Sequence, residues 1–173
     1  MPVIVLILST LAFWSLYWFV RMGGVDHFVE RSAQRKEDAR RRAAREASKL
    51  APLRAVDDPR DAAIILMLLI ARTQGDPSRE QIALIENKLR SVFGLEHELS
   101  ERMTQAQFLA KQTDSFEMAA AAFADLFKRR LTLDERRQLT GMLEEVMFHE
   151  QPSKEQIEAI NAFQPLIGLA PSR

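Results

Sequence analysis

The sequence predicts an all-α protein with an N-terminal transmembrane helix, a basic helical neck and a compact bundle of about six helices. Three observations carry that expectation. No stretch alternates apolar and polar residues with period two, so no sheet is expected. Ser, Thr and Asp cap signatures recur between Asp58 and Gln156, each before an apolar run with helical spacing. The first twenty residues carry no charged side chain. The expected organisation is an anchor at 1–22, a neck at 23–56, a helical domain at 57–164 and a C-terminal tail at 165–173.

The anchor comes first. Pro2 to Val20 is a run of 19 residues ended by Arg21, and at about 1.5 Å per residue it nearly covers a hydrocarbon core of roughly 30 Å. Val3, Ile4, Leu6 and Leu11 supply apolar surface, while Trp14, Tyr17 and Trp18 gather near the C-terminal end. Rings with a polar tip suit the lipid–water interface there. A cleaved signal peptide would need a basic stretch before the run and small residues after it. Neither is present, since Trp18-Phe19-Val20-Arg21 follows. Ser9, Ala12 and Ser15 are small enough for two anchors to approach, which opens a homodimer as one arrangement.

The neck is next. Between Arg21 and Leu50 there are nine Lys or Arg against five Asp or Glu, within a chain of zero net charge. The rest is therefore mildly acidic, which argues against a general nucleic-acid binder. Basic residues clustered after the span place the body in the cytoplasm by the positive-inside rule, in the inner (plasma) membrane of a single-pass protein. Alanine, arginine, lysine and glutamate dominate residues 27–50, with no Gly or Pro, so helix is their natural state. Arg40, Arg41 and Arg42 can face anionic lipid head groups, the alternative being a solvated spacer whose charges only set topology.

The body then reads as capped helices. Asp58 caps the first, with Pro59 at its first position. The ten apolar residues from Ala62 to Ala71 are too few to span a bilayer, so this helix is expected to be buried nearly all round. Ser78-Arg79-Glu80-Gln81 is a capping box for a second helix, with Ile82, Leu84, Ile85 and Leu89 inward. Phe93-Gly94-Leu95 breaks the chain. A third helix runs through Leu99, Met103 and Phe108. Asp114-Ser115-Phe116-Glu117 caps a fourth, whose run from Met118 to Ala124 is small enough for close helix approach. Thr132-Leu133-Asp134-Glu135 and Ser153-Lys154-Glu155-Gln156 open a fifth and a sixth. The apolar end from Pro165 to Ala170 is expected to pack back onto the body, or else to dock a partner.

A repeat shows at an offset of 75. Pro77-Ser78-Arg79-Glu80-Gln81-Ile82 returns as Pro152-Ser153-Lys154-Glu155-Gln156-Ile157, and Met67-Leu68 aligns with Met142-Leu143. A helix, a turn and a capped helix, met twice in residues 57–163, resembles the TerB-like family, which includes the tellurite-resistance protein TerB and the central domain of the membrane co-chaperone DjlA. The anchor and neck also look like the front end of DjlA. The resemblance implies an envelope or tellurite-type stress role, and metal binding by acidic residues of the turns. In this chain Gln74 and His149 stand where the family's leading Asp would be, with Gln81 and Gln156 at the later acidic position. No His-Pro-Asp tripeptide, the signature of a J-domain, occurs.

Chemistry is sparse. There is no cysteine, which excludes disulfides, thiolate catalysis and Cys-based zinc sites. No GxSxG, HExxH or phosphate-cradling glycine loop occurs. Of the three histidines, His27 lies by the expected membrane surface and His97 sits in Glu96-His97-Glu98, a solvated surface before it is a ligand set. Asp76, His149 and Glu150 would form a divalent-metal site if the two turns meet in space; the alternative is an exposed turn. Glu144-Glu145 reads as a polar helix face rather than acid–base machinery. The expectation is a membrane-anchored, non-enzymatic interaction or scaffold module, with membrane lipid and an unidentified protein as partners and no catalytic residues or resident cofactor. The alternatives are a co-chaperone relative without its J-domain and a metal or metalloid binder.

Overall fold

The structure, a computed structural model, describes Arg41, residues 47–48, 50–113 and 115–170. The expected anchor, nearly all of the neck and Asp114 lie outside these residues. Among the described residues there are helices and no strands, and no helix is long and apolar enough to cross a membrane. From Ala47 onward the chain forms one unit. A helical stretch at 50–54, with Leu53 fully buried, leads into six helices.

Helix α1 (Pro59–Arg72) is the centre of the bundle. The Asp58 carboxylate accepts the Arg60 N–H at 2.9 Å, and Pro59 occupies the first turn, where no intrahelical donor is needed. All ten residues from Ala62 to Ala71 are buried, so the helix has no solvent face along that length. It packs on four of the helices that follow it: α2 (Arg79–Ser91), α3 (Leu99–Gln112), α4 (Phe116–Arg130) and α5 (Leu133–Phe148). The sixth, α6 (Lys154–Leu166), packs on α4 and α5.

The capping signatures account for five of the six helix starts. Ser78, Thr132 and Ser153 each complete a reciprocal capping box, with Gln81, Glu135 and Gln156 reaching back to the cap N–H. Ser115 Oγ accepts the Met118 N–H at 3.2 Å. Only α3 begins without a side-chain cap: Glu98 holds the cap position but spends its carboxylate elsewhere. Between α2 and α3, Gly94 adopts φ +65°, and the Leu95 N–H reaches the Leu89 carbonyl at 3.1 Å, which turns buried Leu95 back onto the core.

Burial follows the apolar pattern with a few departures. Ile85 and Leu89 of α2 are fully buried, while Ile82 and Leu84 are half-buried at its flanks. Ala119 and Ala120 lie at the α4 contact surface with essentially no exposure, consistent with small residues admitting a close neighbour. Phe108, on the expected path of α3, points outward at 62% exposure. The apolar tail folds back in part. Ile167 is fully buried, the Leu169 N–H bonds the Gln164 carbonyl at 2.9 Å, and Arg136 donates to the Ile167 carbonyl at 2.8 Å.

The 75-residue offset reappears in three dimensions. Helix α2 shifted by 75 falls on α6 at both ends, and α1 shifted likewise falls within one residue of α5. The two capping boxes match bond for bond, with 3.0 Å from the cap N–H to Gln Oε1 and 3.2 Å from the Gln N–H to Ser Oγ in each.

Candidate functional site

The two turns that follow α1 and α5 meet. Gln74, in the first turn, donates to the Gln151 carbonyl at 3.0 Å and to Gln156 Oε1 at 2.6 Å in the second. Gln156, 1% exposed, in turn donates to the Ile70 carbonyl at 2.8 Å. That carbonyl lies in the last turn of α1, where backbone acceptors run short of intrahelical partners. One amide side chain therefore caps its own helix and closes the end of another. The convergence of turns is real, and glutamines carry it.

The residues expected to converge with the turns are Asp76, His149 and Glu150. All three are exposed on them. Among the described residues no group of three or more His, Asp or Glu side chains is placed to hold a metal ion. The sequence alone did not single out Gln74 as a bridge. The available signal was that both turns carry amides, Gln74 and Gln156, where the TerB-like pattern has acids.

A second cluster sits at the opposite, N-terminal end of α1, and sequence reasoning missed it. Arg102 of α3 reaches Asp58 at 2.9 Å and Asp61 at 2.8 Å through Nη1, and Glu98 at 2.7 Å through Nε. Arg60 grips Asp58 from the other side, at 2.7 Å through Nη2 and 3.1 Å through Nε. The Arg60 guanidinium holds the Asp58 carboxyl far below the usual carboxylate range; burial opposes this, and the Arg60 backbone N–H and Arg102 add to it. Asp58 and Asp61 are three apart on one helix face and Glu98 and Arg102 four apart on another, which is the only trace the cluster leaves in sequence. The arrangement pins α3 to the start of α1. Glu98, drawn to Arg102, is not available to His97, which is exposed.

Because the folded-state carboxyl of Asp58 is more acidic than the unfolded one, the stability it confers is present above the ordinary value of about 4 and is lost as pH falls below it. Asp58→Asn keeps a capping oxygen but removes the charge. At pH 6 the variant should be less stable by about 1 kcal/mol, the scale of a partly exposed ion pair. Between pH 6 and pH 3 its urea midpoint should fall less than that of the parent. Parallel losses would mean that Asp58 does not set the acid limb.

Glu145 pairs with Lys88 across α5 and α2. Its neighbour Glu144 instead lines a groove of about 430 Å³ beside the tail. Another groove, of about 340 Å³, has Ala63, Leu139 and Met142 at its base and Phe93, Arg60 and Arg130 around it. Of the basic residues expected to face lipid, Arg41 is exposed, and Arg40 and Arg42 lie outside the described residues.

No protein-family model, curated protein or solved structure matches this chain.

Proposed function

We propose that this chain is a non-enzymatic interaction module of the TerB-like type, tethered to the inner membrane by residues 1–22 with its helical body in the cytoplasm. One observation carries the reading. Every buried polar side-chain atom among the described residues is hydrogen-bonded within the fold, while large apolar side chains stand in solvent. The most strongly perturbed carboxylate, Asp58, is a cap and an ion-pair partner. The buried amide of Gln156 closes helix ends, and the buried hydroxyls of Thr113 and Thr140 bond carbonyls in their own helices. Against this, Phe108 and Phe148 are exposed by 62% and 61%. Exposed aromatic rings are side chains of the kind that anchor protein–protein contacts. An envelope or tellurite-type stress role rests on the family resemblance alone.

Crosslinking of the full-length protein in membranes, followed by mass spectrometry, tests the reading against a variant lacking residues 1–22. A defined set of other proteins should be captured by the full-length chain and lost without the anchor. If the two forms capture the same proteins, or the full-length chain captures none, the tethered-module reading fails.

A further inference from the structure

The outward face of α5 reads alike in both directions about its midpoint. Leu133, Arg137, Thr140, Gly141, Glu144 and Phe148 follow one another at steps of four, three, one, three and four residues, with Thr140, buried, at the floor of that face and the others open to solvent in whole or part. Those steps keep them on one side of a helix. Leu133, Arg137, Thr140, Gly141 and Glu144 line a single groove of about 430 Å³, whose far wall is the tail at Gly168 and Leu169. About the point between Thr140 and Gly141, Leu133 mirrors Phe148 and Arg137 mirrors Glu144. Both of these mirrored pairs are complementary: apolar with apolar, cation with anion.

We propose that this face is a two-fold interface, on which α5 of a second copy of the chain lies antiparallel. A two-fold contact requires that whatever residue i meets, its mate meets i in return. The mirror pairs of α5 satisfy that condition with one sequence. Leu133 is 44% exposed and Phe148 61%, so both carry apolar area still open to burial. A Cβ built on Gly141 would meet no atom within 4 Å, so the space above the helix midpoint is open, and the missing side chain lets a second backbone come close. Glu144 has no ion-pair partner among the described residues. Among the described residues Arg137 is held by Asp134 alone, an exposed pair at 2.7 Å that is readily exchanged. Helix α5, at 16 residues, is about 24 Å long. One such crossing is smaller than a standard interface, so the dimer is weak and reversible. The proposal is independent of the anchor and of the tethered-module reading.

The chain has no cysteine, so a single introduced thiol reports on one place. The full-length Gly141→Cys protein, treated with an oxidant or a short bis-maleimide, should give a covalent dimer. Ala121→Cys, exposed on α4, serves as the collision control and should give far less. In the Gly141→Cys background, Arg137→Glu or Glu144→Arg alone should lower the dimer yield about three- to tenfold, because the two-fold repeats the ion pair and each single change spoils both copies. The double change should restore it. Circular dichroism of each variant checks that the bundle is intact, and both altered side chains lie outside the core. Dimer yield no higher than the control would overturn the proposal. So would a double change no better than the singles, or a Gly141→Cys adduct with a different protein.

Discussion

Phe163→Ala is expected to destabilise the bundle by about 3–5 kcal/mol, the range for emptying a buried ring site. Phe163 has no exposed surface. Its ring meets Phe116 at 5.9 Å and Phe127 at 6.0 Å between centroids, both close to edge-on, and Phe127 in turn meets Phe123 at 6.2 Å. These four rings tie α6 to α4, and edge-to-face contacts add to what simple area burial contributes. Removing the middle ring leaves Phe116 and Phe127 facing a void, and the helices can close it only partly. Urea denaturation followed by far-ultraviolet circular dichroism measures the change. The exposed Phe148→Ala change, on the same scale, should stay within about 0.5 kcal/mol. Similar losses from both would mean that the ring chain is not the core it resembles.

The second large effect concerns two glutamines that the repeat makes equivalent but the fold does not. Gln81 and Gln156 both reach back to their cap serines with the same geometry. Only Gln156 also accepts from Gln74 and donates to the Ile70 carbonyl. Gln81→Ala should therefore lose one capping interaction, about 1 kcal/mol. Gln156→Ala should lose that together with the Gln74 bond and the buried bond to the Ile70 carbonyl, which keeps only the long 3.4 Å bond from the Thr73 N–H, for a total of about 2–3 kcal/mol. Gln74→Ala, removing an exposed donor, should resemble the smaller of the two. Equal losses at positions 81 and 156 would show that the turn junction contributes nothing beyond capping.

Helix starts were legible because this chain announces them chemically. Asp58, Ser78, Ser115, Thr132 and Ser153 are each a short polar side chain placed to satisfy helix N–H groups, and local chemistry of that kind does not depend on what packs above it. The ten-residue run in α1 was legible for a related reason: without a polar residue it can only be enclosed. Facing was harder. Phe116 reads as part of a cap motif, yet it is a core ring, while Phe108 reads as a helix landmark and stands in solvent. Periodicity does not say which neighbour arrives to cover a residue. The candidate site was least legible. Arg102 meets Asp58 and Asp61 across 44 and 41 residues, and Gln74 meets Gln156 across 82. No local pattern encodes pairing at that separation. The turns do meet, as the metal reading required, but amides make the contact.

The enclosure of α1 also sets a timetable for synthesis. Its apolar run is made before any of α2 to α5, and the last of these ends 77 residues downstream, at Phe148. At about 5–20 residues per second, a ribosome leaves that run without its full shelter for roughly 4–15 s. During this interval AAIILMLLIA is a sticky segment on a nascent chain, too short to be inserted as a membrane span. Its fate then rests on how fast the later helices are delivered, so slowed translation between residues 73 and 148 should reduce the yield of folded protein more than equal slowing after residue 148.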